Sequence, residues 1–448
     1  MTPADEPRGI PARADAFRFW LKLGFISFGG PAGQIAIMHE ELVERRRWIS
    51  ENRFLHALNY CMVLPGPEAQ QLATYLGWLM HRSLGGVVAG GLFVLPSMFI
   101  LVALSWIYMA FGNVPAVAGV FYGIKPAVTA IVVQAAYRIG ARTLKNPWLW
   151  GIAAASFAAI FALDVPFPLI VLVAGVLGGV GGRLAPDRFR VGGAHQGTAR
   201  DGGGRPRAMI DDDTPTPAHA LLSWPRVARV SVIFVAGWAA ALGLLAAAFG
   251  PDSLLPQMGW FFTKAALLTF GGAYAVLPYV FQGAVEHNHW LTTSQMIDGL
   301  ALGETTPGPL IMVVSFVGFV PGWTHAIFGA DARVAAGVAG AAVVTLFTFL
   351  PSFFFILLGG PFIESTHGNL RFTAPLTGIT AAIVGVIVSL AVFFAYHVLW
   401  PQGLQGRFEG IEAAIGLVAA VALVRFQVGV IPVIGATALA GLLATLLR

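Results

Sequence analysis

One block of this chain occurs twice, and that repetition limits the possible folds more than any other feature. Phe19 opens FWLKLGFISFGGPAGQ, and Phe261 opens FFTKAALLTFGGAYAV. Lys22 recurs as Lys264, Phe28-Gly29-Gly30 as Phe270-Gly271-Gly272, Trp48 as Trp290, and Pro65-Gly66-Pro67 as Pro307-Gly308-Pro309, all at an offset of 242 residues. Several landmarks in one ungapped register mark an internal duplication. Further along, Leu95-Pro96-Ser97 recurs as Leu350-Pro351-Ser352 and Gly123-Ile124 as Gly378-Ile379, now at an offset of 255. The second copy therefore carries 13 extra residues, most simply placed between Pro321 and Arg333. With two related halves, function is expected where they meet.

Composition decides where such a chain lives. It is 57% hydrophobic and 11% charged, with a mean hydropathy of +0.75. A soluble domain carries about 25% charged residues. The chain reads as an all-α polytopic membrane protein. Its single cysteine, Cys61, excludes an intrachain disulfide and offers no metal cluster. The pI of 9.6 is no sign of nucleic acid, because the basic residues sit in loops and in a central linker, as cytoplasmic loops do.

Residues 1–16 read as a cytoplasmic tail, 17–182 as the first repeat, 183–228 as a flexible cytoplasmic linker, 229–250 as a linking transmembrane helix and 257–448 as the second repeat. The charged stretch His39 to Arg53 reads as a loop. Each half has six apolar segments, so the single linking helix would set the halves in opposite orientation, as inverted-topology repeats. Loop charge agrees: Arg45, Arg46, Arg47 and Arg53 lie in a loop whose repeat mate, Gln282 to Gln295, has no Lys or Arg. If the FGG segment spanned fully, that arginine-rich loop would fall outside. Treating the FGG and PGP segments as re-entrant keeps it inside and gives nine crossings plus four re-entrant segments. The N-terminus is then inside and the C-terminus outside.

The breaks carry the chemistry. Proline lacks an N–H and clashes with the preceding turn, and glycine lets the backbone leave helical geometry. At membrane depth the freed backbone groups must be buried in protein or line a wet cavity. A broken helix also presents an N-terminus suited to an anion. The candidate binding residues are therefore Phe28, Gly29, Gly30, Pro65, Gly66, Pro67, Phe270, Gly271, Gly272, Pro307, Gly308 and Pro309. Gln34, Gln70, Gln71, Thr305 and Thr306 add neutral groups suited to oxygen ligands. Lys22 and Lys264 hold equivalent intramembrane positions. They either neutralise a bound anion or snorkel to the headgroups. Glu68 and Glu304 flank the two PGP motifs at non-equivalent positions. They either carry a coupling proton or form structural pairs. No HExxH or Walker motif is present, and neither an enzyme nor a cofactor is expected.

The long motifs FGGPAGQIAIMHEELVERRRWIS, NYCMVLPGPEAQQLATYLGWLMHR, GGLFVLPSMFIL, FGGAYAVLPYV and GLALGETTPGPLIMVVSFVGF resemble the chromate ion transporter family in its two-domain, long-chain form. The resemblance covers nearly the whole chain apart from the tail and the linker. It implies a bacterial inner-membrane protein that exports chromate by secondary transport and confers chromate resistance, with sulfate as the related oxyanion. Besides chromate, the expected partner is the lipid bilayer, and self-association stays open. The alternative reading is a transporter of sulfate or another anion, inward as well as outward.

Overall fold

The computed structural model describes residues 11–189, 208–270, 272–365 and 373–447. These residues are almost entirely helical. Their one β-type contact is an isolated bridge between Ile49 and Ile210. Among the described residues, six helices are long and apolar enough to cross a membrane, with further apolar helices of 10–17 residues. The protein is an all-α polytopic membrane protein.

The first half begins with two hairpins that enter from one face and turn back. Helix α1 (Arg13–Ile26) starts where the Pro11 carbonyl meets His81 Nε2 at 2.9 Å. It then runs inward until Gly24 packs on Leu92 and Pro96. The chain breaks at Ser27–Gly29 and returns as α2 (Gly30–His39), which continues into a π-helical turn over Glu40–Arg45. The return reaches the starting face, because Arg46 lies 5.1 Å over the Phe19 ring and the Trp48 ring lies 5.4 Å from it. Much of the expected charged loop is thus helical. Arg45 pairs with Glu40 at 2.7 Å and Glu41 at 3.0 Å, so the charges support the turn rather than break it.

Helix α3 (Glu51–Cys61) enters next and ends before the PGP bend. Helix α4 (Glu68–Phe111) leaves the bend and folds sharply on itself at His81 and Arg82, whose φ/ψ are non-helical. Gly77 and Gly85 face each other across this fold, and Gly86 lies against Thr74. Any side chain on these glycines would push the two arms apart. The arm ending at Met80 is about 20 Å long, too short for a hydrocarbon core of about 30 Å. The second arm crosses to the opposite face. Helices α5 (Pro115–Thr143), α6 (Pro147–Leu163) and α7 (Phe167–Leu184) come next, and a short α8 (Pro186–Phe189) follows.

Helix α9 (Trp224–Phe249) has no buried residue and lies at the periphery. From its far end the pattern restarts. Helix α10 (Leu254–Leu267), a break, α11 (Ala273–Phe281) and the π-helical turn Gln282–His287 form one hairpin. Helix α12 (Thr293–Thr305), the second PGP bend and α13 (Val313–His325) form another. The turn from α13 to α14 (Arg333–Ser365) spans Ala326 to Ala332, where the extra residues of the second copy were expected. Helices α15 (Thr373–Leu399), α16 (Gly410–Val424) and α17 (Val430–Leu446) complete the bundle.

The linker departs from expectation at both ends: Arg183 and Leu184 complete α7, and residues 186–189 form α8 with Phe189 buried. Residues 190–207 lie outside the described residues, but residues 208–222 are docked rather than free. Ile210 is 4% exposed and Ala220 is fully buried. Asp212 accepts from Ser50 Oγ at 2.5 Å and Asn52 Nδ2 at 2.6 Å, and His219 bonds the Trp78 carbonyl at 3.0 Å. Gly- and Asp-rich composition foretold solvation. A few apolar anchors and side chains bonded to the hairpins outweigh it.

Candidate functional site

The four helix breaks meet at the middle of the bundle and bond reciprocally. Gly66 N–H donates to the Thr269 carbonyl at 2.7 Å, and Gly308 N–H donates to the Ser27 carbonyl at 2.8 Å. Ser27 and Thr269 stand at the repeat offset of 242, as do Gly66 and Gly308. Ser27 Oγ donates to Leu23 O at 2.6 Å and Thr269 Oγ1 to Ala265 O at 2.7 Å, again at equivalent positions. The two halves therefore contact each other reciprocally through equivalent residues. Gly66 has φ 128° and Gly308 φ 100°, conformations that favour glycine.

Several expected residues converge here. Gln34, 1% exposed, donates from Nε2 to Gly308 O at 2.5 Å, bridging the first FGG segment to the second PGP bend. Gln71 Nε2 donates to Pro65 O at 2.7 Å and so braces the first bend. Gln70 is buried against Gly90 and donates to Thr74 Oγ1 at 3.0 Å. Pro67, Gly272, Thr306, Pro307 and Pro309 are buried, while Pro65 and Thr305 are partly so. The two threonine hydroxyls donate to their own helix, to Leu302 O and Gly303 O. Gly271 lies outside the described residues. Helices α2, α4 and α11 begin at the breaks without a side-chain cap, leaving N–H groups of the first turn unfilled by side chains.

The carboxylates differ in their surroundings. Glu304 accepts from Tyr274 Oη at 2.5 Å. Glu68, at the first turn of α4, accepts no hydrogen bond and joins no ion pair among the described residues.

Other expected residues face outward. Lys22 is exposed, on the side of α1 away from its buried residues Phe19, Trp20, Leu23 and Gly24. Lys264 is exposed with Nζ 5.7 Å over the Trp260 ring. In this conformation neither lysine joins the buried cluster. Phe28 and Gly29 are exposed, and Gly30 and Phe270 are partly so.

Other residues at the junction carried no functional assignment from sequence. Ser97 and Ser352 are fully buried, and neither hydroxyl has a partner among the described residues. Both were visible only as landmarks of the repeat. Among the described residues, two ion pairs also bridge the halves. Lys125 Nζ lies 3.7 Å from Asp298, which also accepts from Tyr108 Oη at 2.9 Å. Arg53 lies 3.8 Å from Glu364, which accepts a short hydrogen bond from Tyr75 Oη. Neither pair obeys the repeat offset, so the duplication could not reveal them.

Comparison with known proteins agrees with this architecture. The chromate transporter family profile matches residues 14–179 and 256–442. A chromate transport protein of Pseudomonas aeruginosa is 35% identical over 382 residues, covering 85% of this chain and 80% of its own. One of Cupriavidus metallidurans is 31% identical over 379 residues, covering 84% and 81%. A probable chromate transport protein of Synechococcus elongatus is 28% identical over 403 residues, covering 90% and 87%. No solved structure matches. Matched in both halves and along most of its length, the chain belongs to the chromate transporter family.

Proposed function

We propose that this protein is a secondary transporter that exports chromate from the cytoplasm across the bacterial inner membrane and so confers chromate resistance. The two halves act as inverted-topology repeats with the N-terminus cytoplasmic. The observation that carries this reading is the junction of four broken helices, crossed by the Gly66–Thr269 and Gly308–Ser27 bonds, in a chain of this family. Chromate, a tetrahedral dianion, binds at that junction, where uncapped helix N-termini and neutral side chains replace part of its hydration.

Rocking of one half against the other then exposes the site to each side in turn. An inside-negative potential favours loss of the anion by about 2.3 kcal/mol per charge per 100 mV. Glu68 and Glu304 beside the bends are the candidates for proton coupling. Glu68 is the better placed, because no hydrogen bond or ion pair among the described residues holds it.

The test is chromate uptake into everted membrane vesicles, with and without an imposed potential. Saturable uptake stimulated by an interior-positive potential is expected. Absence of uptake by protein shown to be inserted would remove the chromate assignment. Sulfate is the rival cargo suggested by the same chemistry. If sulfate is accumulated and chromate merely competes weakly, the cargo is sulfate.

A further inference from the structure

We propose that Ser97 and Ser352 are paired hydroxyl ligands of the transported oxyanion, one from each half, where the two halves meet. The inference rests on the transport reading above and adds ligands to that site.

The two serines are repeat mates, at the offset of 255, and each follows a proline inside a long helix. Both side chains are fully buried, with hydroxyls unpartnered among the described residues. That is unusual among the buried hydroxyls of these helices. Ser27, Ser105, Thr263, Thr269 and Thr348 all donate to the carbonyl four residues back. A buried hydroxyl without a partner costs about 1–3 kcal/mol. Two at equivalent positions indicate a shared purpose rather than a packing defect. Ser315 and Thr345 also lack partners, but their repeat mates are Ala73 and Gly90, so they form no such pair.

Their placement identifies the site. Ser97 lies against Gly308, where an added Cβ would come within 2.7 Å of Ser97 Cβ and 3.2 Å of its Oγ. Ser352 Oγ lies against Gly66 in the same way. Each serine of one half therefore abuts the PGP bend of the other, at the glycines that make the reciprocal backbone bonds. Any motion of a hairpin relative to the opposing long helix opens or closes the space in front of a serine. Gln71 braces the first bend and its amide nitrogen keeps a second hydrogen to donate, whereas Gln34 Nε2 donates both to Gly308 O at 2.5 Å and to Ser27 O at 3.4 Å.

The chemistry suits a tetrahedral oxyanion. Such an ion has two-fold axes of its own, so equivalent donors from two halves can meet equivalent oxygens. Hydroxyl donors hold it without a fixed cation, which leaves it free to depart. A hydrogen bond to a charged group contributes more than one between neutral groups.

The experiment compares Ser97→Ala, Ser352→Ala and the double variant with wild type, in chromate uptake by everted vesicles. Each single change should raise the half-saturating chromate concentration about 10-fold, following loss of one hydrogen bond to a charged ligand. The double change should raise it further. Maximal rate should stay within about twofold and the ligand-free unfolding temperature should hold or rise, because alanine removes an unpartnered buried hydroxyl, which separates binding from a structural role. Should an alanine variant fail to accumulate, the cysteine variant, close in volume and a weak donor, is read in the same way.

Half-saturation within twofold of wild type in both single variants and the double would overturn the inference while leaving transport intact. A wild type that takes up no chromate would overturn the transport reading, and this inference with it.

Discussion

Gly66 donates its backbone N–H to the carbonyl of Thr269 at 2.7 Å, tying the PGP bend of the first half to the FGG break of the second. Gly308 and Ser27 return the same bond at 2.8 Å, so each half closes the other's broken helix. The backbone groups freed by proline and glycine are thus satisfied inside protein, as membrane depth requires.

Alanine at either bend glycine should damage both fold and transport. Gly66 and Gly308 have positive φ and face a serine of the opposing helix. Backbone strain alone costs roughly 1–3 kcal/mol, and the collision adds to it. Gly66→Ala and Gly308→Ala should each lower the unfolding temperature in detergent and cut chromate uptake at least tenfold. Gly91, with open space around its Cβ position, is the control and should tolerate alanine.

Breaking the Lys125–Asp298 pair should hurt more than removing it. Asp298 is 3% exposed, so Lys125→Met leaves a buried carboxylate without its cation. The loss should be about 3 kcal/mol, the low end for a buried pair because Lys125 keeps some contact with solvent. Lys125→Met with Asp298→Asn should recover part of it. Chemical unfolding of the single and double variants measures the coupling. A double variant as unstable as the sum of the singles would mean that the pair is not coupled.

Lys22→Ala should reduce chromate uptake less than twofold, because the side chain is exposed and points away from the junction. A loss of tenfold or more would instead place Lys22 on the path in another conformation. Lys264→Ala should behave similarly, apart from the lost contact with Trp260.

Docking of the linker should weaken in acid. Burial holds the His219 imidazole below its ordinary value of 6.5, with Arg82 and Arg226 acting in the same direction against the hydrogen bond to Trp78. A histidine whose docked pKa is depressed contributes fully above its free value and progressively less as pH falls below it. Limited proteolysis of residues 208–222 should therefore speed up as pH falls below about 6.5, and His219→Gln should flatten that dependence. Asp212→Ala should raise cleavage at every pH, since it removes the bonds from Ser50 and Asn52.

Much of the architecture is written locally. Proline and glycine clustered at 29–31, 65–67 and 307–309 interrupt the helices, and the breaks appear at these motifs. The Gln34 bond to Gly308 joins two segments that the sequence had already singled out. The charged stretch after His39 was misread because polarity resembles a loop, although spaced opposite charges support a helical turn. Docking of residues 208–222 was hidden for a related reason. Composition averages over a segment, whereas Ile210 and Asp212 act individually.

The sequence by itself determined the duplication, the helical membrane class and the positions of the breaks, because these depend on periodicity, hydropathy and backbone chemistry within a few residues. Only the tertiary structure decided which side chains the breaks bring together. The outward turn of Lys22 and Lys264, the bare hydroxyls of Ser97 and Ser352 and the ion pairs between halves depend on the angle at which the halves cross. That angle is set by contacts between residues hundreds of positions apart, such as Gly66 with Thr269, and no local pattern encodes it.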